Sequence, residues 1–263
     1  MRPRIYRNYF SLKSLQMCEV VIVLIVSAIP VLAVTKENVV ARKNVSQTNR
    51  EELALRLRTI TGWSDLAFNA DGALKIGNAG PKEGSSSARD LLNRAFSGNR
   101  VILLEDASSR KDVVFCRVVQ GVLDNQSNDS SEVYVVLIDF ADFDQVSGDK
   151  PARAAFDVGW AVLHEIDHVV DDSQDPSENV AGDCESHINQ MRRELGLPVR
   201  NSYFYSFLPL KSDGNLISRF VRLGFDSDAS IPSKKKRYWL IWDAAVVGGL
   251  PSDSGSVASV EIF

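Results

Sequence analysis

Two histidines four residues apart, His164 and His168, bracket a glutamate, Glu165, in the run His164-Glu165-Ile166-Asp167-His168. On a helix that spacing turns the second imidazole only about 40° from the first, so both can reach one ion. Neutral imidazole suits zinc, and two such ligands leave room for a third protein ligand and an open position. Glu165 points about 100° away from His164, close enough to lean over the ion and take a proton from an attacking water. The ion would acidify that water and polarise a carbonyl, so a carboxylate suffices as base. The pattern is short and arises by chance. It is sharpened here because the chain has only three histidines and two of them are in it.

These residues need a rigid base, and the surrounding segment supplies one. From Ala152 to Val170 the apolar residues Phe156, Gly159, Leu163, Ile166 and Val170 recur at helical spacing. Asp175-Pro176-Ser177-Glu178 then offers an N-cap, a first-turn proline and a capping-box glutamate. A second helix is therefore predicted to run to about Leu195, with Gly196 as its stop and Pro198 beyond. Ala181, Cys184, Ile188, Met191 and Leu195 form its apolar stripe. Glu185 and His187 lie on opposite flanks of that stripe, so periodicity leaves both open as the third metal ligand.

Upstream, Glu51–Ile60 and Ser86–Phe96 read as helices, the latter with Gly98 as a stop signal. Arg100–Leu104, Val113–Gln120 and Glu132–Phe140 read as strands, the last two joined by the polar hairpin loop Asp124–Ser131. Downstream, Tyr238–Val247 and Val257–Phe263 are strand-like. No repeat and no glycine-rich phosphate loop interrupts this pattern.

The N-terminus reads as a secretory signal: Arg2, Arg4, Arg7 and Lys13 precede an apolar run, Val20–Val34, that ends in small residues. That run is shorter than the roughly 20 residues a membrane-spanning helix needs. Residues 1–33 are thus expected to be a signal peptide cleaved after Ala33, residues 34–50 a flexible linker, and 51–263 a single domain. The protein would be secreted or periplasmic; the alternative is a membrane anchor formed by residues 20–34, the one route to membrane contact. The formal charge of −4 gives no reason to expect a nucleic-acid partner. Beyond the signal only Cys116 and Cys184 remain, compatible with one disulfide or with two buried thiols.

The motif His164-Glu165-Ile166-Asp167-His168, followed by Glu185 on a second helix, resembles the glutamate-type zincins, the HExxH zinc metallopeptidases. The wider stretch, with Ile138-Asp139-Phe140, Phe156-Asp157-Val158-Gly159 and Arg192-Arg193-Glu194-Leu195, looks like short bacterial secreted or effector-type metallopeptidases over roughly residues 100–205. The resemblance implies an α+β, zincin-like fold, a small mixed sheet packed on the motif helix with a second ligand-bearing helix. It implies His164, His168 and Glu185 as ligands of Zn2+, Glu165 as the catalytic base, and a protein or peptide as substrate. It also suggests that Glu132–Phe140 is the edge strand above the active-site helix, where an extended peptide could pair. The metzincin pattern is absent, because Gln174 stands where its third histidine would be. Tyr203, Tyr205 and Arg192 are candidate oxyanion donors; Asp157, Asp167, Asp171 and Asp172 are candidate supports for the ligand histidines. The rival expectation is a catalytically idle secreted zinc protein, a structural or partner-binding module whose site is closed by four protein ligands.

Overall fold

A computed structural model describes residues 37–108, 110–121, 132–176, 178–208, 218–227 and 234–247. The signal segment, the loop 124–131 and the strand-like run 257–263 lie outside the described residues. The chain forms β1 (Val39–Ala41), α1 (Gln47–Thr61), β2 (Ala67–Phe68), β3 (Leu74–Lys75), α2 (Ser86–Ser97), β4 (Val101–Asp106), β5 (Cys116–Gln120), β6 (Val133–Ile138) and α3 (Phe140–Asp144). Then follow β7 (Ser147–Gly148), α4 (Lys150–Ala154), α5 (Val158–Asp171), α6 (Asp183–Glu194), β8 (Ser206–Phe207), β9 (Phe220–Asp226), β10 (Arg237–Asp243) and α7 (Ala244–Val247). The fold is α+β, as expected.

The first sheet has the order β1-β4-β6-β5, with β1, β4 and β6 parallel and β5 antiparallel. The segment read as a linker is thus partly built into the fold. Val39 and Ala41 are buried in the main core, and β1 pairs along β4. The polar residues that hid this strand from a periodicity reading flank only three strand residues. The edge position is also corrected: β6, within Glu132–Phe140, lies inside the sheet, and β5 is the edge. β5 pairs antiparallel with β6 and takes the outside place. The second sheet, β7-β10-β9-β8, covers a separate aromatic cluster containing Phe115, Phe225 and Trp242.

Helices α1, α2, α5 and α6 share the main core with the first sheet. The helical run expected over 152–170 is broken at 155–157. Asp157 adopts an extended conformation (φ −146°, ψ −176°), and its Oδ1 accepts from Gly159 and Trp160 N–H, capping α5. Helix α5 is buried almost all round, including His164, Glu165 and Asp167. Gly159 allows its close approach to α1: a Cβ there would sit 2.7 Å from Arg56 Cβ. Helix α6 starts at Asp183, behind Gly182, seven residues later than the capping signature suggested. Asp175 is not a cap because its carboxylate is turned toward α5. No described helix is long and apolar enough to cross a membrane.

Candidate metal centre

The loop between α5 and α6 returns over α5 and brings Asp175 between the two motif histidines. Its Oδ1 lies 3.2 Å from His164 Nε2 and its Oδ2 3.4 Å from His168 Nε2. These contacts lack hydrogen-bond geometry. His168 Nε2 and both Asp175 oxygens are buried without a hydrogen-bond partner. Buried polar atoms left this way cost free energy unless something else occupies the point they share. His164, His168, Asp175 and Cys184 each offer one ligand atom, all within 4.8 Å of one another.

The outer ring nitrogens are oriented by the chain itself. His168 Nδ1 is 2.8 Å from the Ser173 carbonyl, which accepts its proton and leaves Nε2 as the free donor. Ser173 Oγ in turn donates to Asp167 Oδ2 at 2.7 Å, tying the buried Asp167 to the same support. His164 Nδ1 faces Glu185 Oε2 at 3.7 Å. Such carboxylate and carbonyl partners fix the ring orientation and raise ligand basicity. In the metal-free site, desolvation lowers the His168 pKa, but Asp175, Glu165 and the Ser173 carbonyl outweigh it and push it up to about 9. Burial raises the Asp175 carboxyl, and the facing imidazoles and Tyr203 reverse that, holding it well below the usual carboxylate range.

Glu185, expected as third ligand, is buried in an ion-pair cluster. Arg192 Nη1 donates to its Oε1, and Arg200 Nη1 to its Oε2 at 3.2 Å. Desolvation raises its carboxyl and the two guanidiniums overcome that, so its pKa is lowered. It therefore stands behind His164, with its charge already satisfied. His187, the other candidate, is half exposed and pairs with Asp167 at 3.0 Å, away from the motif histidines. Cys116 and Cys184 are free and buried. Cys184 Sγ donates to the His164 carbonyl at 3.4 Å, and burial pushes its thiol well up.

Glu165 is buried on the side of α5 facing β5, and its Oε2 accepts the Val118 N–H at 2.9 Å. Burial raises its carboxyl against the opposing pull of His164 and His168. Tyr203 is buried, its ring stacked with His164 at a centroid distance of 6.4 Å. Burial foremost, with Asp175 nearby, keeps its phenol protonated far above the ordinary range. Tyr205 packs on Trp242 and Phe207, and Arg192 is committed to Glu185, Asn189 and the Ala155 carbonyl. Asp171 and Asp172 pair with Arg94 and Arg100 on the surface.

Sequence reasoning missed Asp175, Ser173 and Arg200 at the site. Asp175 had a signal that pointed elsewhere: an aspartate before a proline is the mark of a helix start. That same proline biases Asp175 toward an extended backbone, which suits a loop residue reaching back toward α5. No family model matches the chain, and no curated protein or solved structure matches it.

Proposed function

We propose that the protein is a secreted zinc metallopeptidase of zincin-like architecture. His164, His168 and Asp175 are its ligands, Asp175 taking the place that the resemblance gives to Glu185. One observation carries the reading: three donor groups converge, with His168 Nε2 and both Asp175 oxygens buried and unpartnered, while Ser173 and Glu185 face the outer nitrogens of both imidazoles. Two imidazoles and a carboxylate, with an open position, are the donor set of a catalytic zinc site. When bound, zinc would polarise the scissile carbonyl and acidify a water.

The chain's own groups then have distinct tasks. Val118 N–H holds Glu165 Oε2, so Oε1 receives the proton as the water oxygen attacks the carbonyl carbon. Glu165 returns that proton to the amide nitrogen as the C–N bond breaks, giving one carboxylic acid and one amine. Glu185 steadies His164, and Ser173 steadies His168.

A closed, idle zinc site is the second reading, favoured by Cys184 lying within reach of the other three donors. Against it, the thiol is engaged by the His164 carbonyl and burial disfavours the thiolate that zinc requires. The test is zinc content of the purified full-length chain, followed by peptide hydrolysis by wild type and Glu165→Gln. About one zinc per chain in both, with hydrolysis lowered roughly 100-fold or more in the variant, is expected. Zinc bound with no hydrolysis by wild type selects the closed site, and failure to bind zinc overturns both readings.

A further inference from the structure

A cavity of about 30 Å³ lies against His164 and Glu165, walled by Phe115, Phe156 and Trp160 and reaching Arg192 and Arg200. That is room for about two waters, or for one carboxylate group. Arg192 and Arg200 are both buried, 2% and 4% exposed, and both bind the single carboxylate of Glu185. Glu165, the other acid on the cavity wall, is turned to β5 and held by Val118 N–H. The arginine cluster alone therefore carries one more positive than negative charge, in surroundings where an uncompensated ion is costly.

The donor inventory identifies where a ligand is missing. Arg192 is held by its own partners: Nε binds the Ala155 carbonyl at 2.9 Å, and Nη1 binds Glu185 and Asn189. Arg200 Nη1 binds Glu185 and Nη2 the Tyr203 carbonyl, but its Nε–H is buried with no acceptor. Its guanidinium is fixed in place over the Tyr203 ring, 4.4 Å from the centroid. A preorganised, partly unsatisfied guanidinium is a strong receptor for a carboxylate oxygen.

We infer that this cavity is a specificity pocket for a substrate carboxylate adjoining the scissile bond, with Arg200 as the residue that reads it. The inference rests on the metallopeptidase reading, since only then does the neighbourhood of His164 and Glu165 hold the reacting bond. The small volume favours the short side chain of aspartate. A free C-terminal carboxylate offers the same chemistry. Aromatic walls exclude the water that would otherwise screen the charge, and an uncharged amide of equal size would leave the excess charge uncompensated.

The test uses the full-length, zinc-loaded protein and C-terminally amidated peptides carrying Asp or Asn at each position flanking a candidate bond. A matched set has free C-termini, and products are identified by mass. Hydrolysis beside Asp at least tenfold faster in kcat/KM than beside Asn is expected, falling to within about twofold in Arg200→Gln at unchanged zinc content. Because that variant can lose its fold along with the Glu185 pair, wild type is also assayed with succinate and succinamide, and inhibition by succinate alone is expected. Cleavage restricted to free C-termini, again blocked by succinate, assigns the carboxylate to the chain end. Cleavage with equal rates for Asp and Asn, unaffected by succinate, overturns the pocket and leaves the peptidase reading intact. Bound zinc with no cleavage of any peptide overturns both.

Discussion

Two buried carboxylates face opposite nitrogens of one imidazole. Glu185, on the rigid helix α6, faces His164 Nδ1 and is clamped by two guanidiniums. Asp175, on the loop between α5 and α6, faces His164 Nε2 and is met by no arginine or lysine among the described residues. Both stay ionised at neutral pH. What separates them is what they still lack. Glu185 has its counter-charges inside the fold, so it supports; Asp175 and the imidazole nitrogens around it have no such clamp, which is the place the proposed zinc would take. A third carboxylate gives the baseline: Asp142, close to Asp139 and accepting the Phe115 N–H at 2.9 Å, is pushed up to about 7 by burial. A buried acid without a cation gives up its charge, and Asp175 keeps its own because imidazoles face it.

The sharpest way to break this comparison is to delete each acid in turn. Asp175→Ala should lower zinc affinity by well over about 100-fold, beyond what losing an outer support costs, as read by competition with a chelator. Glu185→Gln should instead destabilise the metal-free protein by about 3–5 kcal/mol in urea, because two buried guanidiniums lose their partner. In whatever fraction folds, zinc affinity should fall only about 10- to 100-fold. The reverse pattern would make Glu185 the ligand and Asp175 the support.

Asp142 sharpens the baseline. Its folded pKa, about 7, lies above the ordinary unfolded value. Stability from this group is therefore fullest below about pH 4 and is lost as pH rises through 7. Asp142→Asn should remove that slope and gain about 1–2 kcal/mol at pH 8, less than the full shift because an amide is a weaker acceptor for the Phe115 N–H than a carboxylate. Urea titrations of both proteins at pH 5 and pH 8 decide it; equal slopes would mean that Asp142 is ionised at little cost. The smallest effect is expected from His187→Ala. Its partner Asp167 keeps the Ser173 hydroxyl, so stability should drop by about 1 kcal/mol or less. Zinc affinity should stay the same, and a large loss would place His187 at the metal.

Much of the fold was legible because local rules happened to agree with tertiary context. Ser86–Phe96 and the strand at Val101–Asp106 emerged nearly as read, since each combines a clear period with a stop or turn signal. The long helix over 152–170 was over-read: apolar spacing continues through Phe156, but Asp157 caps a new helix there. Strand β1 was lost because three residues are too few to show a period, and only pairing with β4 makes them a strand.

At the site, the sequence by itself determined His164, Glu165 and His168, because their relation is a helical spacing of four and nothing distant enters it. For the third position it offered Glu185 and His187, and it read Asp175 as a helix cap. Which carboxylate meets the histidines was decided only by tertiary structure. The answer depends on Arg192 and Arg200 neutralising Glu185 and on a loop folding Asp175 back over α5. Charge compensation inside a core is a sum over neighbours distant in the chain, and spacing along the sequence carries no record of it.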